Sequence, residues 1–276
     1  MKNFLQRTLS GAGFVVIVAA ALLLNEYTFG ILMLLLMIAM MVEFYRMTME
    51  KEYLFSQILA IFAGVILFLL TYLFKGFHFP GRLVILAIVP IFIVMINSLY
   101  VRDKTDFGKF ANLYTGLLYI SVPVSLTNFA VFHGNTGFNG ILLLSFFIII
   151  WASDVGGYLF GITLGKVFKK KLFPEISPKK SWAGFWGGMF LSSIAGVILH
   201  YVGMLSYPLI HCIILAILMD VTGVYGDLIE SQWKRYYAVK DSGNIMPGHG
   251  GMLDRLDSAL IAIPVGVIYL LVVNIL

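Results

Sequence analysis

Between Asp220 and Asp257 the chain concentrates groups able to handle phosphate. Asp220, Asp227, Glu230, Asp241, Asp254 and Asp257 are interleaved with Lys234, Arg235, Lys240 and Arg255, and a Pro247-Gly-His-Gly-Gly loop interrupts them. Hydrophobic sequence flanks this stretch on both sides, and carboxylates at the edge of a membrane helix are expensive to bury. Carboxylates for a cation, cations for an anion and glycines that admit a ligand to the backbone together suit a metal-bound polyphosphate. Hard oxygen ligands, without paired Cys or clustered His, predict Mg2+ or Mn2+ rather than zinc.

These residues need helices to position them. Asp220 and Asp227 are seven apart, Asp227 and Glu230 three, Asp227 and Lys234 seven, so all four fall roughly on one helical face. Asp254 and Asp257 share a face at i, i+3 on the first turn of the next apolar run, where the helix dipole favours an anion. Upstream, Ser153-Asp154 interrupts an apolar run, and an Asp at that depth should face the protein interior or a water-filled cavity. Gly157, Gly161 and Gly165, then Gly184 and Gly188, recur at four-residue spacing. That spacing suits close helix packing, within the chain or in a homodimer. Lys169 to Lys171 read as a solvated anchor. Ser177-Pro178 fits an N-cap with Pro at N1, so a helix starting there would offer free N–H groups beside Lys179 and Lys180, a phosphate site.

The 276 residues are 60% hydrophobic and 12% charged, with a mean hydropathy of +0.94. A soluble chain needs far more polar surface. Apolar runs of membrane-spanning length recur at roughly 9–25, 27–43, 53–74, 82–101, 110–132, 139–163, 183–204, 208–230 and 254–275. The predicted fold is an all-α polytopic membrane protein of about nine spans. Residues 1–138 hold five spans, and residues 139–276 hold four with the polar loops. The Lys2/Arg7 run that opens the chain resembles a signal peptide but lacks a small-residue exit, so it is taken as a retained helix. If the N-terminus is inside, every basic residue except Lys75 and Arg82 falls on the inner side, so the positive-inside rule predicts N-in and C-out. The net charge of +5 is thus topological, with anionic lipid as a second attraction, and nucleic acid is not an expected partner. Cys212 is the single cysteine, which excludes an intrachain disulfide.

The chain has no P-loop, G-x-S-x-G or H-E-x-x-H motif. What it has is Ser231-x-x-Lys234-Arg235-x4-Lys240-Asp241-x-Gly243, followed by Pro247-x-His249-Gly250-Gly251-x-x-Asp254-Arg255-x-Asp257. This run closely resembles the signature of the phosphatidate cytidylyltransferases, or CDP-diacylglycerol synthases. Asp154 with its Gly-rich helix, and Lys171-Leu-x-Pro-x-Ile-Ser-Pro-Lys-Lys-Ser-Trp182, resemble the same family. The resemblance covers residues 150–260; the first half agrees only in hydropathy and length. Trp233 and Ala183 depart from the family pattern, and Ala183 leaves no acid at a position where one is common.

The resemblance implies transfer of a cytidylyl group from CTP to phosphatidic acid, giving CDP-diacylglycerol and pyrophosphate, at the cytosolic face of the inner membrane. It suggests that Asp227 and Asp254 hold Mg2+, with Asp257 and Asp154 as supporting acids. Lys234, Arg235, Lys240 and Arg255 are then expected on CTP phosphates or pyrophosphate, with Ser231 beside them. Ser177, Lys179 and Lys180 are expected on the phosphatidate headgroup or the triphosphate, and His249, Gly250 and Gly251 around the nucleotide. Two other readings stand beside this one. A CTP-dependent polyprenol kinase or an ether-lipid cytidylyltransferase would share the superfamily, and an ion-coupled transporter would use Asp154, Asp220 and Asp227 as a path.

Overall fold

A computed structural model describes residues 2–101, 108–133, 137–246, 248 and 250–276, with side chains from residue 9 onward. The expected site residue His249 therefore lies outside the described residues. The helices are α1 (Lys2–Leu24), α2 (Glu26–Thr48), α3 (Leu54–Gly76), α4 (Ile88–Asn97), α5 (Gly108–Gly116), α6 (Val122–Val131), α7 (Ile141–Thr163), α8 (Trp182–Tyr201), α9 (Leu209–Tyr236), α10 (Leu253–Leu256) and α11 (Ala259–Val272). A two-stranded hairpin, β1 (Lys171–Phe173) with β2 (Ser177–Ser181), is the sole sheet among the described residues.

The protein is an integral, polytopic membrane protein. Among the described residues eight helical runs are long and apolar enough to cross a bilayer, from Glu26–Thr48 to Leu253–Val272. The ninth expected span corresponds to α1, whose described apolar stretch is the shorter Leu9–Leu24. The abrupt boundary after it is a built feature. Asn25 Oδ1 accepts from the Thr28 N–H at 3.0 Å and Thr28 Oγ1 accepts from the Asn25 N–H at 3.3 Å, a reciprocal cap that opens α2.

Contacts divide the chain into two units. The first comprises Met1–Asn139 with Val239–Arg255, and the second comprises Gly140–Ala238 with Leu256–Leu276. In the first, Phe29, Tyr72, Phe132 and Phe138 form an aromatic cluster, and the Tyr45 hydroxyl donates to Leu113 O at 2.9 Å. Two spans there are not simple α-helices. Gly81–Tyr100 starts and ends as 3-10 helix around α4. Leu117–Ser121 is a π turn between α5 and α6, beside Pro123, which has no N–H to close an α turn.

In the second unit α7 and α8 pack through glycine. A Cβ on Gly184 would lie 2.8 Å from Gly157 O, and one on Gly156 would run into Gly187 O. The glycine spacing is thus used within the chain, and it no longer argues for a second copy. The Ser177 N-cap expectation is corrected. Ser177–Ser181 is a strand paired antiparallel to β1, with Lys171 opposite Ser181. Pro178, lacking an N–H and biasing Ser177 to extended backbone, fits that short edge. Helix α8 starts at Trp182, where Ser181 Oγ accepts from the Gly184 N–H at 3.1 Å. The expected continuous helix carrying Asp254 and Asp257 is also broken. Asp254 is in α10, and Asp257 occupies the turn before α11, so they share no first turn.

Candidate active site

A cavity of about 340 Å3 opens in the second unit. Its polar wall combines Ser153 and Asp154 of α7, Lys179 and Lys180 of β2, and Asp227 of α9, while Ile150, Leu172, Phe185 and Met219 supply apolar surface. Asp154 is exposed to this space, as an acid at its depth requires. The hairpin that replaced the expected helix start is what projects Lys180 toward α9. Its ammonium lies 2.7 Å from Asp227 Oδ2 and donates to Val224 O at 3.3 Å. Ser231, one turn further along α9, donates to Asp227 Oδ1 at 3.1 Å. Asp227 is therefore held from both sides, by a cation and by a hydroxyl.

The acidic face of α9 divides by depth. Asp220 is 1% exposed and accepts from Ser153 Oγ at 2.5 Å, joining α9 to α7. Glu230 is fully buried and forms an ion pair with Lys234 one turn on. The exposed Arg235 donates through Nε to Ile176 O at 3.4 Å, tying the end of α9 to the hairpin. Around Asp257, the Ser258 N–H donates to Oδ1 at 2.6 Å, and the charges of Asp227, Asp154 and Lys234 act on the carboxyl. A Cβ on Gly226 would sit 2.6 Å from Asp257 O and 3.2 Å from Ser258 Cα. Only glycine lets α9 meet that turn backbone to backbone, immediately before Asp227.

Asp254, Lys240, Asp241, Arg255, Gly250 and Gly251 lie in the first unit. Asp254 Oδ2 accepts from the Ser242 N–H at 2.9 Å, from Ser242 Oγ at 3.0 Å and from the Gly251 N–H at 2.7 Å. Gly250 has φ +86°, a conformation that side chains resist, and a Cβ there would lie 2.7 Å from Asp254 Oδ2. The Met246 N–H donates to Gly250 O at 3.0 Å, closing the loop. Lys240, Asp241 and Arg255 are exposed on this segment, where cations can meet a solvated phosphate. Ser177 is partly buried in β2 and Lys179 is exposed.

One participant was absent from the sequence reading. Glu43, on α2, is 2% exposed and accepts from the Leu253 N–H at 2.9 Å, with the Ser242 hydroxyl, shared with Asp254, 3.3 Å away. A Cβ on Gly243 or Gly251 would collide with its carboxylate. The signal was available, because Glu43 is an acid at the end of an apolar run and such acids are seldom incidental.

No metal cage of three or more His, Cys, Asp or Glu side chains occurs among the described residues. Mg2+ does not require one, since it commonly takes one or two carboxylates and completes its shell with water and substrate phosphates. Asp227 in the second unit and Asp254 in the first each offer carboxylate oxygens of the kind that chemistry uses.

The model of the cytidylyltransferase family matches residues 5–273. The phosphatidate cytidylyltransferase of Bacillus subtilis (strain 168) is 37% identical over 172 residues, covering 62% of this chain and 60% of the relative. That of Staphylococcus haemolyticus is 32% identical, covering 63% and 64%, and that of Staphylococcus aureus (strain COL) is 35% identical over the same shares. The alignments thus span less than two thirds of these relatives' length. Membrane helices that carry paired carboxylates and cations, and a family match running almost from end to end, place the chain in the cytidylyltransferase family.

Proposed function

We propose that the protein transfers the cytidylyl group of CTP to phosphatidic acid, releasing pyrophosphate. The observation that carries this reading is the cavity of the second unit. It sets Lys180 on Asp227 and Lys179 nearby against an apolar wall, a combination suited to a phosphate attached to acyl chains. The relatives named above, all phosphatidate cytidylyltransferases, support the same substrate pair.

A phosphate oxygen of the lipid attacks the α-phosphorus of CTP, forming a new P–O bond. The bond from the α-phosphorus to the bridging oxygen breaks, and pyrophosphate departs with the electron pair. The nucleophile is already anionic near neutral pH, so no strong base is needed. The barrier lies in bringing two anions together, and positioning and charge neutralisation carry the catalysis. Lys179 and Lys180, with Ser177 in the same strand, hold the lipid phosphate. As it arrives, Lys180 can pass from Asp227 to the phosphate. Lys234, Arg235, Lys240 and Arg255 neutralise the triphosphate and the leaving pyrophosphate, and Gly250 and Gly251 let the nucleotide approach the backbone. The family resemblance gives Mg2+ to Asp227 and Asp254, whose carboxylates would ligate it; the ion would screen the triphosphate charge, with Asp257 and Asp154 as supporting acids. The site faces the cytosol, where CTP is found, with N-in and C-out across the inner membrane.

The test is pyrophosphate release by the full chain in detergent with CTP, Mg2+ and phosphatidic acid. Release should require all three, with CDP-diacylglycerol as the lipid product. Formation of CDP with a polyprenol, without pyrophosphate release, would move the assignment to a lipid kinase. Failure to bind CTP would favour a transporter.

A further inference from the structure

We propose that Glu43 is a positioning residue of the transfer reaction, acting through Ser242 and Leu253 to fix the carboxylate of Asp254. This rests on the reading of Asp254 as part of the site. The geometry belongs to the first unit alone. Glu43 Oε2 receives the Leu253 N–H at 2.9 Å and lies 3.3 Å from the Ser242 hydroxyl oxygen, whose single proton it shares with Asp254. The same hydroxyl lies 3.0 Å from Asp254 Oδ2, which also takes the Ser242 and Gly251 amides at 2.9 and 2.7 Å. Ser242 is therefore the hinge pin between a carboxylate on a membrane helix and one in the functional loop.

Burial makes the arrangement stiff. A carboxylate that is 2% exposed cannot exchange its protein partners for bulk water, so it stays with the donors that reach it. The glycines on either side of the loop fit that purpose. Side chains at Gly243 or Gly251 would occupy the volume of the Glu43 carboxylate, so the loop backbone closes directly on the acid. Glu43 Oε1 has no hydrogen-bond partner among the described residues. One oxygen thus does all the anchoring, and this sets a rule for substitution. Glu43→Gln keeps an oxygen that can accept from Leu253 and Ser242, whereas Glu43→Ala removes every acceptor and leaves a cavity.

The experiment uses the full chain in detergent, in three variants: Glu43→Ala, Glu43→Gln and Ser242→Ala. Amide hydrogen exchange is read without substrate, and steady-state transfer is read with CTP and phosphatidic acid. For Glu43→Ala, exchange should accelerate at Ser242, Gly251 and Leu253 while α3 and α6 keep their protection. Its kcat should fall about 10- to 100-fold, the usual range for groups that orient a site from behind, with the KM for phosphatidic acid little changed. Glu43→Gln should keep the loop protected and recover most of the lost kcat. Ser242→Ala should lower kcat and loosen the Asp254 contacts while leaving Leu253 protected. Wild-type exchange and turnover in Glu43→Ala would overturn the proposal. So would exchange loss spread evenly through the chain, or a Gln variant as damaged as Ala. If Glu43→Ala does not fold, the Gln and Ser242→Ala variants still decide, because the proposal requires the first to be mild and the second to act on kcat. Exchange needs no substrate, so an unaltered protein that makes no CDP-diacylglycerol would defeat the proposed reaction and leave the loop result to be judged by itself.

Discussion

Lys180 lies on Asp227, 2.7 Å from Oδ2, with both side chains partly exposed. An ion pair in that setting contributes little to stability, which leaves its role to chemistry. In the proposed reaction an incoming phosphate would compete for the ammonium and release the carboxylate. Hydrogen bonds to charged groups are worth about 1.5–3 kcal/mol, so Lys180→Met should lower kcat/KM for phosphatidic acid roughly 10- to 100-fold. Asp227→Asn and Asp254→Asn should abolish turnover while yielding folded protein, as judged by a monodisperse detergent particle. Lys169→Ala should stay close to wild type, since Lys169 is exposed beyond the end of α7; a complete loss there would contradict its reading as an anchor. At this scale the sequence was informative about types and positions. It could not show that Ser231 serves Asp227, nor that Lys234 serves Glu230, because seven-residue spacing places groups on one face without choosing their partners. Glu43 escaped notice for a related reason, since its partners lie some two hundred residues away.

Helix α9 reaches the turn at Asp257 through Gly226, and the closeness has a measurable consequence. A methyl group there would press on Asp257 O at 2.6 Å, and backbone cannot swing aside like a flexible side chain. Gly226→Ala should destabilise by about 1–3 kcal/mol, as overpacking does, and should lower turnover by displacing Asp227. Gly13→Ala in α1 is the control. Nothing lies within 4 Å of its added methyl, so helix propensity alone should act, favouring Ala by roughly 0.5–1 kcal/mol. Thermal midpoints in detergent, read with activity, separate the two. The contrast also shows what spacing can reveal. Gly157 and Gly188 were legible as packing residues, but the tightest approach of the two backbones is at Gly156 and Gly187, one position from each. Helix crossing geometry chooses the contact, and a repeat in one strand of sequence does not encode it. The hairpin was missed for a different reason. The residue before Pro is extended whether it caps a helix or pairs in a strand, and the pairing of Ser177 with Phe173, four residues back across a tight turn, decides between them.

The count of crossings is where the whole molecule makes its own prediction. Eight runs satisfy the length and composition of a span, and α1 has a shorter apolar stretch, Leu9–Leu24, within a helix of 23 residues. At 1.5 Å per residue, the full helix is about 34 Å long and can cross a hydrocarbon core of about 30 Å, whereas the apolar stretch alone reaches only about 24 Å. If α1 crosses, the chain has an odd number of spans, its termini lie on opposite sides, and Lys2 and Arg7 join the other inner cations. If α1 lies along the surface, the number is even and the termini share a side. The basic residues favour crossing, because the alternation of charge holds only with α1 included. Cysteine labelling can decide it cleanly, as Cys212 is fully buried and contributes no background. A cysteine introduced by Leu276→Cys should react with a membrane-impermeant maleimide on intact cells. One introduced by Lys2→Cys, at the start of α1, should react only after permeabilisation. Labelling of both from outside, or of neither, would refute the nine-span arrangement.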